Sequence, residues 1–167
     1  MPFPLLPKLI TDELTDLTPE ILKANHVRLL MLDFDNTIVP YTTSVPTEEM
    51  DQWLKAMVQS QVTICVVSNS HKDRVKIFCE KYGIPCITHA KKPFSRGIRQ
   101  CLAKFELAPG KCALAGDQIF TDTLGGNGCN VRTILVRAIH NHTIWLRLRH
   151  VLELPFIFLA GKRRVDL

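Results

Sequence analysis

Residues 27–39 read VRLLMLDFDNTIV, and the rest of the chain can be placed outward from them. The apolar run Leu29 to Leu32, with Phe34, is short enough for a strand buried on both faces, and two aspartates arrive at its carboxyl end. Asp33 and Asp35 are two apart, so a strand would carry both carboxylates on one face while Phe34 points into packing. Two such charges about 5 Å apart repel by about 3 kcal/mol at an effective dielectric near 20, which calls for a cation between them. Asn36 and Thr37 favour a turn through side-chain to backbone hydrogen bonds, leaving the carboxylates at the mouth of the sheet. Turn chemistry alone also accounts for a D-x-D-N string. A calcium loop does not, because the EF-hand register needs Gly at Ile38 and Glu at Ser44.

Strand and helix patterns alternate from there. Upstream, Thr18-Pro19 opens a helix that should end near Asn25. Downstream, Thr47 opens a helix with Met50, Trp53, Leu54, Met57 and Val58 as its core stripe. Residues 62–67 form the second strand, ending in Ser68-Asn69-Ser70, and residues 71–82 a helix stopped by Gly83. A short strand over 84–88, Lys91-Lys92-Pro93 and a helix over 95–106 follow. The fourth strand, 111–115, ends at Gly116-Asp117; a short glycine-broken helix over 121–130 leads to the fifth, 131–136. This order predicts an α/β three-layer sandwich built on a five-stranded parallel sheet, with ligands at the carboxyl ends of the strands. Every polar punctuation mark lies at such an end.

A chain of 167 residues suits one such domain, here residues 1–136 with a tail over 137–167. Residues 1–131 hold 14 basic and 14 acidic side chains, and residues 132–167 hold 7 and 2, so the net charge of +5 belongs to the tail. A basic tail on a neutral body suggests an anionic partner, membrane or nucleic acid. The six cysteines form no C-x-x-C pair and fall mostly in apolar runs, as small buried hydrophobes of a reducing compartment do. Three prolines and a lysine in MPFPLLPKLI spoil a signal-peptide core, so a cytoplasmic location is expected.

Four separated signals, DFDNT, VVSNS, KKP and GDQIFTD, occur in the order and at the strand ends of the haloacid dehalogenase (HAD) phosphatase superfamily, which residues 27–136 resemble. The resemblance implies a Rossmann-like sheet and Mg²⁺-dependent hydrolysis of a phosphate monoester. It makes Asp33 the nucleophile that forms an aspartyl-phosphate, and Asp35 the acid and then the base. Ser68 and Lys92 hold the phosphoryl oxygens; Asp33, the main-chain carbonyl of Asp35, and Asp117 bind Mg²⁺. Asp122 would orient Lys92 or a metal-bound water, with Thr37 and Asn69 in support. Lys91 is the alternative to Lys92. His26, His71 and His89 have no spacing that demands a metal, and His140 with His142 reads more simply as solvated tail.

The spacing leaves no room for a cap domain, which suits a phosphate projecting from a large body. The KP and GDQ-x-x-TD motifs look most like the YqeG-type subclass IIIA phosphatases, a group similar to the fungal mitochondrial phosphatidylglycerophosphate phosphatase. That implies a lipid-headgroup phosphomonoester; soluble sugar or nucleotide monophosphates and nucleic-acid 3′ ends are the alternatives, with nucleic acid disfavoured because only Trp145 offers a stacking surface beside arginines. A phospho-receiver module shares the Asp, Ser and Lys-Pro order but needs neither Asp35 nor the Asp117/Asp122 pair. In the tail, Trp145, Arg147, Arg149 and Lys162-Arg163-Arg164 are interleaved with leucine and phenylalanine. The segment is too short to span a bilayer and suits either peripheral contact at the inner membrane face or packing on the domain.

Overall fold

The computed structural model describes residues 5–71, 73–139 and 144–160, the side chains of 144–151 excepted. Six strands, β1 (Leu9–Thr11), β2 (Leu29–Leu32), β3 (Thr63–Val67), β4 (Cys86–Ile87), β5 (Cys112–Gly116) and β6 (Arg132–Val136), form one sheet in the order β1-β6-β5-β2-β3-β4. Every pairing is parallel. Six helices accompany them: α1 (Pro19–Ala24), α2 (Glu48–Gln59), α3 (Asp73–Tyr82), α4 (Arg96–Phe105), α5 (Leu124–Gly128) and α6 (Ile144–Ala160). Five of the strands are those the sequence predicts. The sixth, β1, is a three-residue edge strand that pairs Leu9 with Ile134 and Thr11 with Val136, so its register is set 125 residues away.

The three layers follow from alternation along buried strands. Leu30, Leu32 and Phe34 point into one core with Leu22 of α1, Leu54 and Met57 of α2, and Val75 and Phe78 of α3. Leu29 and Met31 point into the other, against Ile98 and Cys101 of α4. The helix starts are as the capping residues dictate. Thr18 and Thr47 each accept a backbone N–H, from Ile21 and Met50, and Gly83 leaves α3 at φ +66°, where a side chain would be strained. All six cysteines are free, and five are buried.

The expected helix over 121–130 begins differently. A π-helical turn, Ile119–Thr123, precedes the five residues of α5, and Gln118 O accepts from both Asp122 N (3.0 Å) and Thr123 N (3.2 Å). The widened turn sits directly after β5. Such insertions recur where a side chain has to be aimed, and here that side chain is Asp122.

Candidate active site

The sheet reverses its winding between β2 and β5, and loops leaving adjacent strand ends at that seam splay apart to form a crevice. Asp33 is the first residue past β2, its N–H donating to Ala115 O at 2.9 Å, so the ladder to β5 fixes it in place. The turn after it is tight. Ile38 N donates to Phe34 O, Asn36 N to Val39 O, and Asn36 takes φ +62° while its side chain accepts from Tyr41 N. The expected turn is there, but the Asn36 side chain closes it from Tyr41 N, five residues on, and the Thr37 hydroxyl goes to a side chain, that of Asp117, instead of to the backbone.

Ser68 is fastened to the neighbouring segment by its main chain, N–H to Ile87 O (2.9 Å) and O from Ala90 N (3.0 Å), and its hydroxyl accepts from Ser70 N at 3.0 Å. Asn69 clasps the backbone of Lys92 in both directions, donating to Lys92 O (2.9 Å) and accepting from Lys92 N (2.7 Å). The ammonium of Lys92 therefore arrives in the crevice on a fixed stem. It lies 2.6 Å from Asp33 Oδ1 and 2.7 Å from Asp122 Oδ1, fully buried. Lys91 is exposed.

Asp122 is held from several sides. Gln118 N and the Thr121 hydroxyl both donate to its Oδ2, each at 3.3 Å. A Cβ on Gly116 would run into the Asp122 carboxylate, so the glycine of the G-D pair is what lets this side chain lie against the end of β5. One carboxylate oxygen from each of Asp33, Asp117 and Asp122 lies within 4.8 Å of the others, and the Thr37 hydroxyl donates to Asp117 Oδ1 at 3.4 Å.

The titration behaviour follows from this crowding. Burial pushes the Asp33 carboxyl up to about 6; Lys92 works against the rise and Asp122 adds to it. Burial also opposes the charged form of Lys92, but Asp122 and Asp33 outweigh it and hold that ammonium above the ordinary lysine range. The site therefore keeps a permanent cation facing surplus carboxylate.

Asp35 departs from the simple strand expectation. Its carboxylate pairs with Arg74 of α3, so it does not share a cation with Asp33. Alternation stops because the backbone turns immediately after Phe34. Arg74 also donates to Thr43 O at 2.7 Å and stacks over the Phe34 and Tyr41 rings, with its guanidinium carbon 5.2 and 5.6 Å from their centroids. The sequence reading missed Arg74, which lies in an ordinary helical stretch and carries no motif. It also missed the approach of His71 and His89, whose exposed rings meet edge to face at 4.0 Å.

Glu153 was missed as well. It is buried on α6, and its Oε1 accepts from Ile119 N (3.0 Å) and Phe120 N (3.4 Å), at the start of the turn that aims Asp122; Phe156 meets Phe120 edge to face. Of the tail residues expected at a membrane, Lys162, Arg163 and Arg164 lie outside the described residues, as do the side chains of Trp145 and Arg147 and Arg149. His140 and His142 lie outside them too. Among the described residues no helix is long and apolar enough to cross a membrane.

Solved structures with this fold include a cobalt-bound deoxy-D-mannose-octulosonate 8-phosphate phosphatase of Haemophilus influenzae, at TM-score 0.54 and 11% identity over 84% of this chain and 93% of that one. A HAD family hydrolase of Streptomyces avermitilis superposes at TM-score 0.52 and 15% identity, over 80% and 75%. Such low identities speak for the fold alone. The sequence speaks for activity: the chain is 36% identical over 131 residues, 78% of its length and 76% of the other, to the probable phosphatase YqeG of Bacillus subtilis (strain 168). It is a phosphatase of the HAD superfamily. Within that class it belongs to the family described as mitochondrial PGP phosphatase, whose profile matches residues 2–139.

Proposed function

We propose that the protein removes the terminal phosphate of phosphatidylglycerophosphate to leave phosphatidylglycerol, using Mg²⁺ and an aspartyl-phosphate on Asp33. The observation that carries the chemistry is a charge count. Asp33, Asp117 and Asp122 bring three carboxylates together around the single ammonium of Lys92, a surplus of two negative charges made of hard oxygen donors. That set fits one Mg²⁺, with Asp33, Asp117 and the main-chain carbonyl of Asp35 as holders and Asp122 turned toward Lys92. When bound, the ion neutralises phosphoryl charge and so lets an anionic nucleophile approach.

The residues then divide the work. An Asp33 oxygen attacks phosphorus, the phosphorus to alkoxide bond breaks, and Asp35 gives its proton to the departing alkoxide. Asp35 next takes a proton from water, whose oxygen attacks phosphorus and expels Asp33 as carboxylate, releasing inorganic phosphate. Lys92 and the Ser68 hydroxyl donate to the phosphoryl oxygens throughout. Arg74 positions the Asp35 carboxyl through their contact and has to release it when Asp35 acts as an acid.

The lipid assignment is supported by the family match and by an open crevice. Only α2 and β3 separate Asp35 from Ser68, and only α3 and β4 separate Ser68 from Lys92, so no cap domain is inserted between them. A headgroup standing out of a bilayer can reach such a site. The test is Mg²⁺-dependent phosphate release from phosphatidylglycerophosphate in mixed vesicles, beside soluble monoesters and a 3′-phosphorylated oligonucleotide, with wild type and Asp33→Asn. A strong preference for the lipid, abolished by the substitution, is expected. Turnover confined to soluble esters or the oligonucleotide would retain the mechanism and discard the lipid.

A further inference from the structure

Helix α6 is apolar on nearly every side over residues 152–160 and covered on only one. Over residues 152–160, at about 100° per residue, Glu153, Phe156, Ile157 and Ala160 fall in one arc and are buried or half-buried. Leu152, Leu154, Pro155, Phe158 and Leu159 fill the opposite arc. The four large ones are 59%, 46%, 85% and 62% exposed. A helix that rests on a domain with its other side in water carries polar residues there, and this one has none over these two and a half turns.

Charge indicates what covers that face. In sequence, Arg147 and Arg149 precede the apolar segment and Lys162, Arg163 and Arg164 follow it. The one acid between them, Glu153, is turned inward onto the Ile119 and Phe120 amides. Cations that flank an apolar segment in sequence, with its one carboxylate turned inward, complement an anionic lipid surface. The 17 residues of α6 fall short of the roughly 20 needed to span a bilayer, so the helix lies along the interface.

We infer that α6 is an in-plane docking helix for an anionic bilayer, with Leu152, Leu154, Phe158 and Leu159 seated among the lipids and Glu153 holding the catalytic domain from the other side. The clasp falls two and three residues after Asp117, so the docking helix is joined directly to the loop that carries the acidic cluster. The usefulness of this arrangement rests on the lipid-phosphate reading, but its test does not.

The test is flotation of the full chain with vesicles free of any phosphomonoester lipid, either phosphatidylcholine alone or with about 30% phosphatidylglycerol. Wild type should partition at least about tenfold better into the anionic vesicles, and Phe158→Glu/Leu159→Glu should lose about tenfold with an unchanged melting curve. In case that double variant misfolds, Phe158→Trp provides a second reading: its added fluorescence should be quenched by brominated acyl chains. Wild type that stays off anionic vesicles, a well-folded double variant that binds equally, or Phe158→Trp fluorescence that is not quenched would overturn the inference. So would a dimer that the double substitution dissociates, since that assigns the face to a second copy. Phosphatidylglycerophosphate hydrolysis is scored separately, so either reading can fail while the other stands.

Discussion

At the residue scale the crevice is governed by unequal numbers of charges. Lys92 serves both Asp33 and Asp122, and removing a carboxylate has the opposite effect from removing the ammonium. Asp33→Asn leaves a neutral Lys92–Asp122 pair, whereas Lys92→Met leaves buried carboxylates facing one another and should cost about 3 to 5 kcal/mol. The pH dependence follows from the raised Asp33 value. Below 3.8 both the folded and the unfolded chain hold the proton; between 3.8 and about 6 only the folded chain does; above that neither does, and the folded state bears the burial of the anion. Stability of the metal-free wild type should therefore rise as pH falls from 7 toward 4, a gain that Asp33→Asn lacks. The variant should be the more stable at pH 7 by up to about 3 kcal/mol, an advantage that fades by pH 4. Denaturant titrations of both proteins in chelator, at several pH values, measure this. A variant less stable than wild type at pH 7 would refute the charge count.

At the element scale, what the sequence discloses depends on how far each partner lies along the chain. The buried run at β2, the threonine caps of α1 and α2, and the polar residues ending β3 and β5 are local signals, and each is where it was expected. The edge strand β1 was not legible: three residues have no periodicity to read, and their pairing is with residues 134–136. Arg74 and Glu153 stayed hidden for the same reason, one in an ordinary helical stretch and the other a lone acid in a basic, apolar tail, each meaningful only once a distant loop is beside it. Glu153 makes α6 a support for the turn Ile119–Thr123 as well as a surface element. Glu153→Ala strips an acceptor from two backbone donors, which should cost about 2 to 3 kcal/mol and loosen Asp122 and Asp117 together. Calorimetric Mg²⁺ affinity should fall about tenfold, and Glu153→Gln, which keeps an acceptor oxygen, should recover most of it. Wild-type affinity in a folded Glu153→Ala protein would reduce the clasp to packing.

At the scale of the whole molecule, the acidic cluster straddles the seam where the sheet changes direction. β2, β3 and β4 lie on one side and β5, β6 and β1 on the other, with Asp33 on the first half and Asp117 and Asp122 on the second. A divalent cation held there would tie the halves together, and only the folded chain could hold it, because the carboxylates are about 85 residues apart in sequence. Mass action then turns binding into stability. At roughly 100 times its dissociation constant Mg²⁺ should add about 2.7 kcal/mol, which for a chain of this size raises the melting temperature by about 5 to 10 °C over the chelator-treated protein. Asp117→Asn, which removes a ligand on the β5 side without touching the Lys92 pairs, should keep its melting temperature in chelator and lose most of the Mg²⁺ increment. Amide exchange should localise the effect, with added protection in β2 and β5 at the seam exceeding that in β4, whose pairing is to β3 alone. A melting temperature indifferent to Mg²⁺, or an equal rise in Asp117→Asn, would mean that the cluster is an ion-pair network rather than a metal centre.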